Sequence, residues 1–176
     1  VGAFHGLSRE RSDARKYPAI NPLDSWSKYK SVIREDWVNY ARALFRHATD
    51  VESMMKVVGE EGTSLADFIV YLKGEFLDAV YFQQNSFDEV DSSPEVERQT
   101  YVFKRLLQVL GSDFELPGKD EARSFFNRMR QKFIDWNYTV RTSEEFKQKE
   151  RDIDGLYIAM SGKLNAQAAD LLKDGE

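Results

Sequence analysis

The chain is expected to be all-α, a bundle of about five to six helices behind an irregular N-terminal connector that keeps a short strand. Three observations in its 176 residues predict this. Apolar residues recur every three or four positions through most of the length, the period of a helix with one buried face. Residues that start and stop helices fall between those stripes. Only residues 1 to 32 break the pattern, where Pro18 and Pro22 force extended backbone and Val1 to Phe4 reads as a strand end.

Each element has its own signals. Trp37, Ala41, Leu44, Phe45, Ala48, Val51, Met55 and Val58 make one stripe, and Gly59 ends it. Ser64 with Asp67 opens the second helix in a capping arrangement, and Leu65, Phe68, Ile69, Leu72, Phe76 and Val80 give its apolar face. Gly74 is expected to weaken this helix without abolishing it. Ser93-Pro94 reads as the start of a third helix, with Val102, Leu106, Val109 and Leu110 inside and Gly111 as the stop. A fourth begins near Asp120, runs through Phe125, Phe126, Met129, Phe133 and Trp136, and ends at Asn137, Thr139 and Val140. Thr142 with Glu145 is the expected cap of the last helix, whose stripe is Phe146, Ile153, Tyr157, Met160 and Leu164.

Composition narrows the function classes. The chain carries 41% apolar and 13% aromatic residues, enough for a packed core. It has no cysteine, which excludes disulfides, thiolate metal sites and a cysteine nucleophile together. No apolar run approaches the ~20 residues that cross a bilayer, so no membrane insertion is expected. Chains are synthesised with a leading methionine; this one opens at Val1, and the expectation is a cut within a longer chain. The net charge of −5 is unevenly spread. Residues 1 to 46 hold nine basic and five acidic groups, whereas residues 47 to 100 hold three basic and twelve acidic groups. Such an acidic centre repels phosphate backbones, so no nucleic-acid partner is expected, and a basic protein surface is the better match.

Two segments carry the chemistry. Tyr17-Pro18-Ala19-Ile20-Asn21-Pro22-Leu23-Asp24-Ser25 puts an aromatic ring before a proline that stiffens the backbone, and Tyr81-Phe82-Gln83-Gln84-Asn85-Ser86-Phe87 brackets three amides with aromatics. Adenine is a flat aromatic with a polar edge, so rings on its two faces are a sufficient grip while phosphates are held elsewhere. Without further context an aromatic before proline is more often simple packing. No GxxxxGK(S/T) phosphate loop lies between Val1 and Glu176; Gly59-Glu60-Glu61-Gly62-Thr63-Ser64 lacks its lysine and its glycine spacing. His5 and His47 stand too far apart in sequence to suggest a metal site.

Together the two segments resemble the catalytic A (alpha) subunit of V-type and archaeal-type rotary ATP synthases, whose motifs read close to FPAIN and FLQQNAF. The resemblance covers about the first half of the chain. Pro22 and Asp24-Ser25 depart from the V-type pattern. The resemblance implies a connector over residues 1 to 32, leading from a nucleotide-binding domain, and a C-terminal helical bundle over residues 33 to 176. It implies that Tyr17 packs on adenine with Phe87 opposite, Tyr81 being a weaker candidate, and that ATP or ADP is the ligand. Magnesium and the phosphates would be held outside this segment, leaving it inactive alone. It further implies that Glu60 and Glu61, on a turn between two helices, meet the central stalk. The B subunits of the catalytic hexamer, the central stalk subunits and a place in the soluble, membrane-peripheral sector of an ion-transporting ATPase follow from the same resemblance. The alternative is a stand-alone helical adaptor that binds a basic protein through its acidic face, with the aromatic segments serving as core.

Overall fold

The computed structural model describes residues 2–28, 32–83, 88, 90 and 95–173. The described residues form seven α-helices and two short antiparallel strand pairs, in line with an all-α bundle. In order these are β1 (Ala3–Phe4), α1 (Arg9–Asp13), β2 (Trp26–Ser27), α2 (Glu35–Val58), α3 (Leu65–Leu77), α4 (Val96–Leu110), β3 (Ser112–Asp113), α5 (Lys119–Asn137), α6 (Glu144–Ala159), β4 (Lys163–Leu164) and α7 (Ala166–Lys173). A π-helical turn, Asp78–Phe82, continues α3. Among the described residues no helix is long and apolar enough to cross a membrane.

Helices α2 and α3 form a hairpin. Ala48 of α2 faces Gly74 of α3, while Phe45, earlier in α2, meets Phe82, later in the chain, with ring centroids 5.1 Å apart. The two helices therefore run antiparallel. Gly74 is not a weak spot in this setting. A Cβ there would overlap that of Ala48, so its missing side chain is what allows the close approach.

Helix α3 turns its other side to α5, and α6 closes over α5. The core is aromatic where they meet. Phe76 stands edge-on to Phe133 at 5.2 Å, Phe133 edge-on to Trp136 at 5.7 Å, and Trp136 lies 4.7 Å from Phe146 of α6. Offset and edge-on pairs of this kind add about 0.5–1.5 kcal/mol each beyond the area they bury. Leu106 and Leu110 of α4 and Met129 of α5 complete this fully buried set.

Three details differ from the sequence expectation. The N-cap of α6 is Ser143, whose hydroxyl accepts from the Phe146 amide at 3.1 Å, rather than Thr142. The stripe ending at Leu164 is not one helix: α6 stops at Ala159, and Lys163–Leu164 pairs with Ser112–Asp113 in the register Ser112↔Leu164 and Asp113↔Lys163. That return lets α7 pack on α4, where Gly111 accommodates Ala168. In the connector, Ala3 and Phe4 form the short strand expected there and pair with Ser27 and Trp26, whereas the one-turn helix α1, capped by Ser8, departs from the extended backbone expected. Ser93-Pro94 lies outside the described residues, within which α4 begins at Val96.

Candidate functional site

The Tyr17 loop is braced by its own residues. Leu7 bridges to Ile20, the Ser8 amide donates to the Ala19 carbonyl at 2.8 Å, and the Asn21 amide donates to Gly6 at 2.7 Å. Asn21 folds the next turn, with Oδ1 accepting from the Leu23 amide at 3.0 Å and Nδ2 donating to Asp24 at 2.6 Å. Arg42, on α2, donates to the carbonyls of Pro22 at 2.9 Å and Leu23 at 3.2 Å, and to that of Ser25. The loop is thereby fixed to the hairpin. Tyr17 stands at its edge with a cis bond to Pro18 and 55% of its surface exposed.

The residue before it is anchored in charge. Lys16 Nζ reaches Asp78 at 2.9 Å and Glu75 at 3.0 Å on α3 and its π-turn. Burial by itself would lower the Lys16 pKa, but the hydrogen bond to Asp78 and the two carboxylate charges outweigh it and raise it. Arg11 adds a second cation, with Nη2 2.7 Å from Asp78 in a charge contact rather than an aligned hydrogen bond. Asp78 is 1% exposed and Arg11 8%. The node is electrically balanced, two cations from the connector against two carboxylates from α3 and its extension.

Asp78 also opens the π-turn that leads into the second aromatic segment. Its carbonyl accepts from the Gln83 amide at 3.0 Å. Tyr81, within that turn, packs edge-on against Phe103 of α4 at 4.8 Å and is partly buried at the rim of the core. Burial pushes its phenol up to about 12. Phe87, with Gln84 and Asn85, lies outside the described residues. A cleft of about 300 Å³ separates the connector from α2 and α3, with Arg11, Lys16, Thr49, Tyr71, Glu75 and Asp78 on its walls. Neither Tyr17 nor Tyr81 lines it.

The α2–α3 turn is at the other end of the hairpin. Gly59 has φ 78°, and Thr63 locks the turn by donating from its hydroxyl to Gly59 at 3.0 Å and from its amide to Glu60 at 3.1 Å. Glu60 turns toward α5 at the surface: its carboxylate pairs with Arg123 and its carbonyl accepts from Lys119 Nζ at 2.6 Å. Arg123 also lies 5.1 Å over the Phe68 ring. Glu61 is exposed, beside a hydrophobic tip in which Val57 is 86% exposed.

His5 and His47 are both exposed. Among the described residues, no group of three or more His, Asp or Glu is placed to hold a metal ion. Sequence reasoning missed Asp78, Arg11, Lys16 and Arg42. The one available signal was Asp78 itself, an acid set between Leu77 and Val80 where the apolar stripe continues.

The comparisons with known proteins decide the family. The family described as the C-terminal domain of V and A type ATP synthase matches residues 27–109. The V-type ATP synthase alpha chain of Treponema denticola is 57% identical over 173 residues, covering 98% of this chain and 29% of that protein. The chain belongs to the family of V- and A-type ATP synthase C-terminal domains. Alpha chain 1 of Treponema pallidum is 52% identical over the whole of this chain and 30% of its own length. The alpha chain of Borrelia turicatae is 54% identical over 156 residues, covering 89% of this chain and 27% of its own length. The chain thus spans about three tenths of the length of these relatives. Within the acidic stretch Glu60, Glu75 and Asp78 are paired inside the fold, and membership of this family does not favour a stand-alone adaptor.

Proposed function

We propose that this chain is the C-terminal helical domain of the catalytic A subunit of a V-type ATP synthase, and that it closes one side of the adenine pocket and relays nucleotide state to the central rotor. The observation that carries the reading is the juncture at Asp78, where the connector bearing Tyr17 is tied to the turn that enters the second aromatic segment. Tyr17 offers an exposed ring to the base, Phe87 is assigned to the opposite face, and Tyr81 backs the site from its place against Phe103.

The relay follows from the length of α2. Arg42 grips the Tyr17 loop, and Glu60 lies 18 residues farther along. Of these steps, 16 lie on α2, which ends at Val58, so about 24 Å at 1.5 Å per residue is one helix before the turn begins at Gly59. Helix α3 returns over about 20 Å of that length, from the turn to Leu77, and Asp78 follows it. A shift of the loop on nucleotide binding or release therefore moves the turn as a lever, with Glu61 presented to the stalk and Glu60 held to α5. Magnesium and the phosphates belong to parts of the subunit outside this chain. In the whole enzyme, ATP hydrolysis or synthesis would be coupled to proton or sodium transport by other subunits, with B subunits as neighbours in the catalytic hexamer. The domain then lies in the sector peripheral to the membrane.

Two measurements test this. Stacking of an aromatic side chain on a base contributes about 1–3 kcal/mol. Tyr17→Ala in the intact enzyme should therefore weaken ATP binding by about 5- to 150-fold while the subunit still assembles. Unchanged affinity would sink the stacking role. The isolated chain should show no ATP turnover, and clear turnover by a pure sample would overturn the assignment.

A further inference from the structure

The end of the α2–α3 hairpin is apolar where its sequence promises charge. No large apolar side chain among the described residues is more exposed than Val57, at 86%. Met54 and Val58 are exposed as well. Residues three and four apart on a helix are neighbours, so Met54 lies beside both Val57 and Val58. The three form one apolar patch on the last turn of α2, next to Gly59, where even a Cβ would meet nothing within 4 Å.

The charges around this patch are largely matched within the domain. Glu60 pairs with Arg123, and Lys56 pairs with Glu52 at 3.0 Å and Glu10 at 3.6 Å. That leaves Glu61 as the exposed acid of the turn. One exposed carboxylate contributes little to a grip on a basic surface, whereas covering a valine or methionine contributes more. Exposed apolar patches rimmed by polar residues mark contact surfaces. Apolar contact is also non-directional, so the patch can press on successive faces of a turning shaft without an ion pair being broken and re-formed at each one.

We infer that the hairpin tip meets the central stalk through Met54, Val57 and Val58, and that the stalk surface it meets is apolar rather than basic. This rests on the lever proposed above and names the chemistry of its partner.

The test titrates the assembled catalytic hexamer with labelled central stalk, in the parent, Val57→Asp, Val57→Ser and Glu61→Gln. Val57→Asp should weaken stalk binding by about tenfold and Val57→Ser by about fivefold. Glu61→Gln should change it by no more than about twofold. Val57 is exposed, so thermal unfolding of the domain should be unchanged in its variants. A Val57→Asp hexamer that binds the stalk as tightly as the parent, or more tightly, would overturn the inference, because an added carboxylate helps only against a basic surface. The lever itself is read separately, by placing p-benzoylphenylalanine at position 57 of the intact enzyme and irradiating it. A cross-link to a central stalk subunit is expected. Cross-links to other subunits alone would overturn the lever and this inference with it, whereas a stalk cross-link together with undiminished binding by Val57→Asp would leave the lever standing and overturn only the apolar contact.

Discussion

Gly74→Ala is expected to destabilise the domain, although by helix propensity alone it should help. In the middle of a helix alanine is favoured over glycine by about 1 kcal/mol. Crowding between α2 and α3 opposes that gain and outweighs it. A Cβ on residue 74 would stand 3.8 Å from the Ala48 Cα and overlap the Ala48 Cβ. Carbon atoms rest at about 3.5–4.0 Å, so α2 and α3 must part by on the order of 1 Å at their closest point. Both positions are buried, and neighbours such as Phe45 are already in contact. Overpacking of this kind typically costs about 1–3 kcal/mol. The net is a loss of up to about 2 kcal/mol, which for a chain of this size lowers Tm by up to about 8 °C. Thermal unfolding followed by circular dichroism reads this directly. Ala48→Gly alone should cost about 1 kcal/mol, whereas adding it to Gly74→Ala should restore stability by removing the methyl that collides. A Gly74→Ala domain as stable as the parent would refute the close-packing argument.

Three further outcomes are expected. The Tyr81 phenol is pushed up to about 12 by burial, so its neutral form stabilises the fold fully below pH 10 and that contribution is lost as pH rises from 10 to 12. Over that interval the parent should lose about 2–3 kcal/mol more than Tyr81→Phe in denaturant titrations, and parallel curves would contradict the burial. Glu60→Ala breaks an ion pair that is partly exposed and worth about 0.2–1 kcal/mol, so it should lower Tm by about 1–3 °C, while Glu61→Ala should leave Tm unchanged; equal effects would show that the turn is not held through Glu60. Gly111→Ala drives a Cβ into Ala168 and should raise amide exchange across Ala166–Lys173 while leaving α5 protected.

Most of the bundle is legible in the sequence because burial on one face imposes a period on it. The stripes from Trp37 to Val58 and from Leu65 to Val80 fall on helices in the structure, and Gly59 and Ser64 mark the turn between them. What escaped were pairings between residues far apart in the chain. Gly74 reads locally as a weak helix position, and only the facing Ala48 gives it a purpose. Lys163–Leu164 continues an apolar stripe, and only its partner strand at Ser112–Asp113 makes it extended. Ser143 and Thr142 are equivalent capping residues by type, and the path of the chain chooses between them. The charge asymmetry was visible as a basic start and an acidic centre; that Arg11 and Lys16 cross 62 or more residues to meet Asp78 was not. The candidate site divides in the same way. Tyr17 is found from the residues around it, whereas the ion node that fixes its loop exists only in three dimensions.

The most direct test of the central claim is photolabelling of the intact enzyme with 2-azido-ATP, whose reactive group sits on the base, followed by mass spectrometry of the modified peptides. Label on Tyr17, suppressed by excess ATP, is the expected result. Competable label confined to segments that contain neither Tyr17 nor Phe87 would place the base elsewhere and contradict the account.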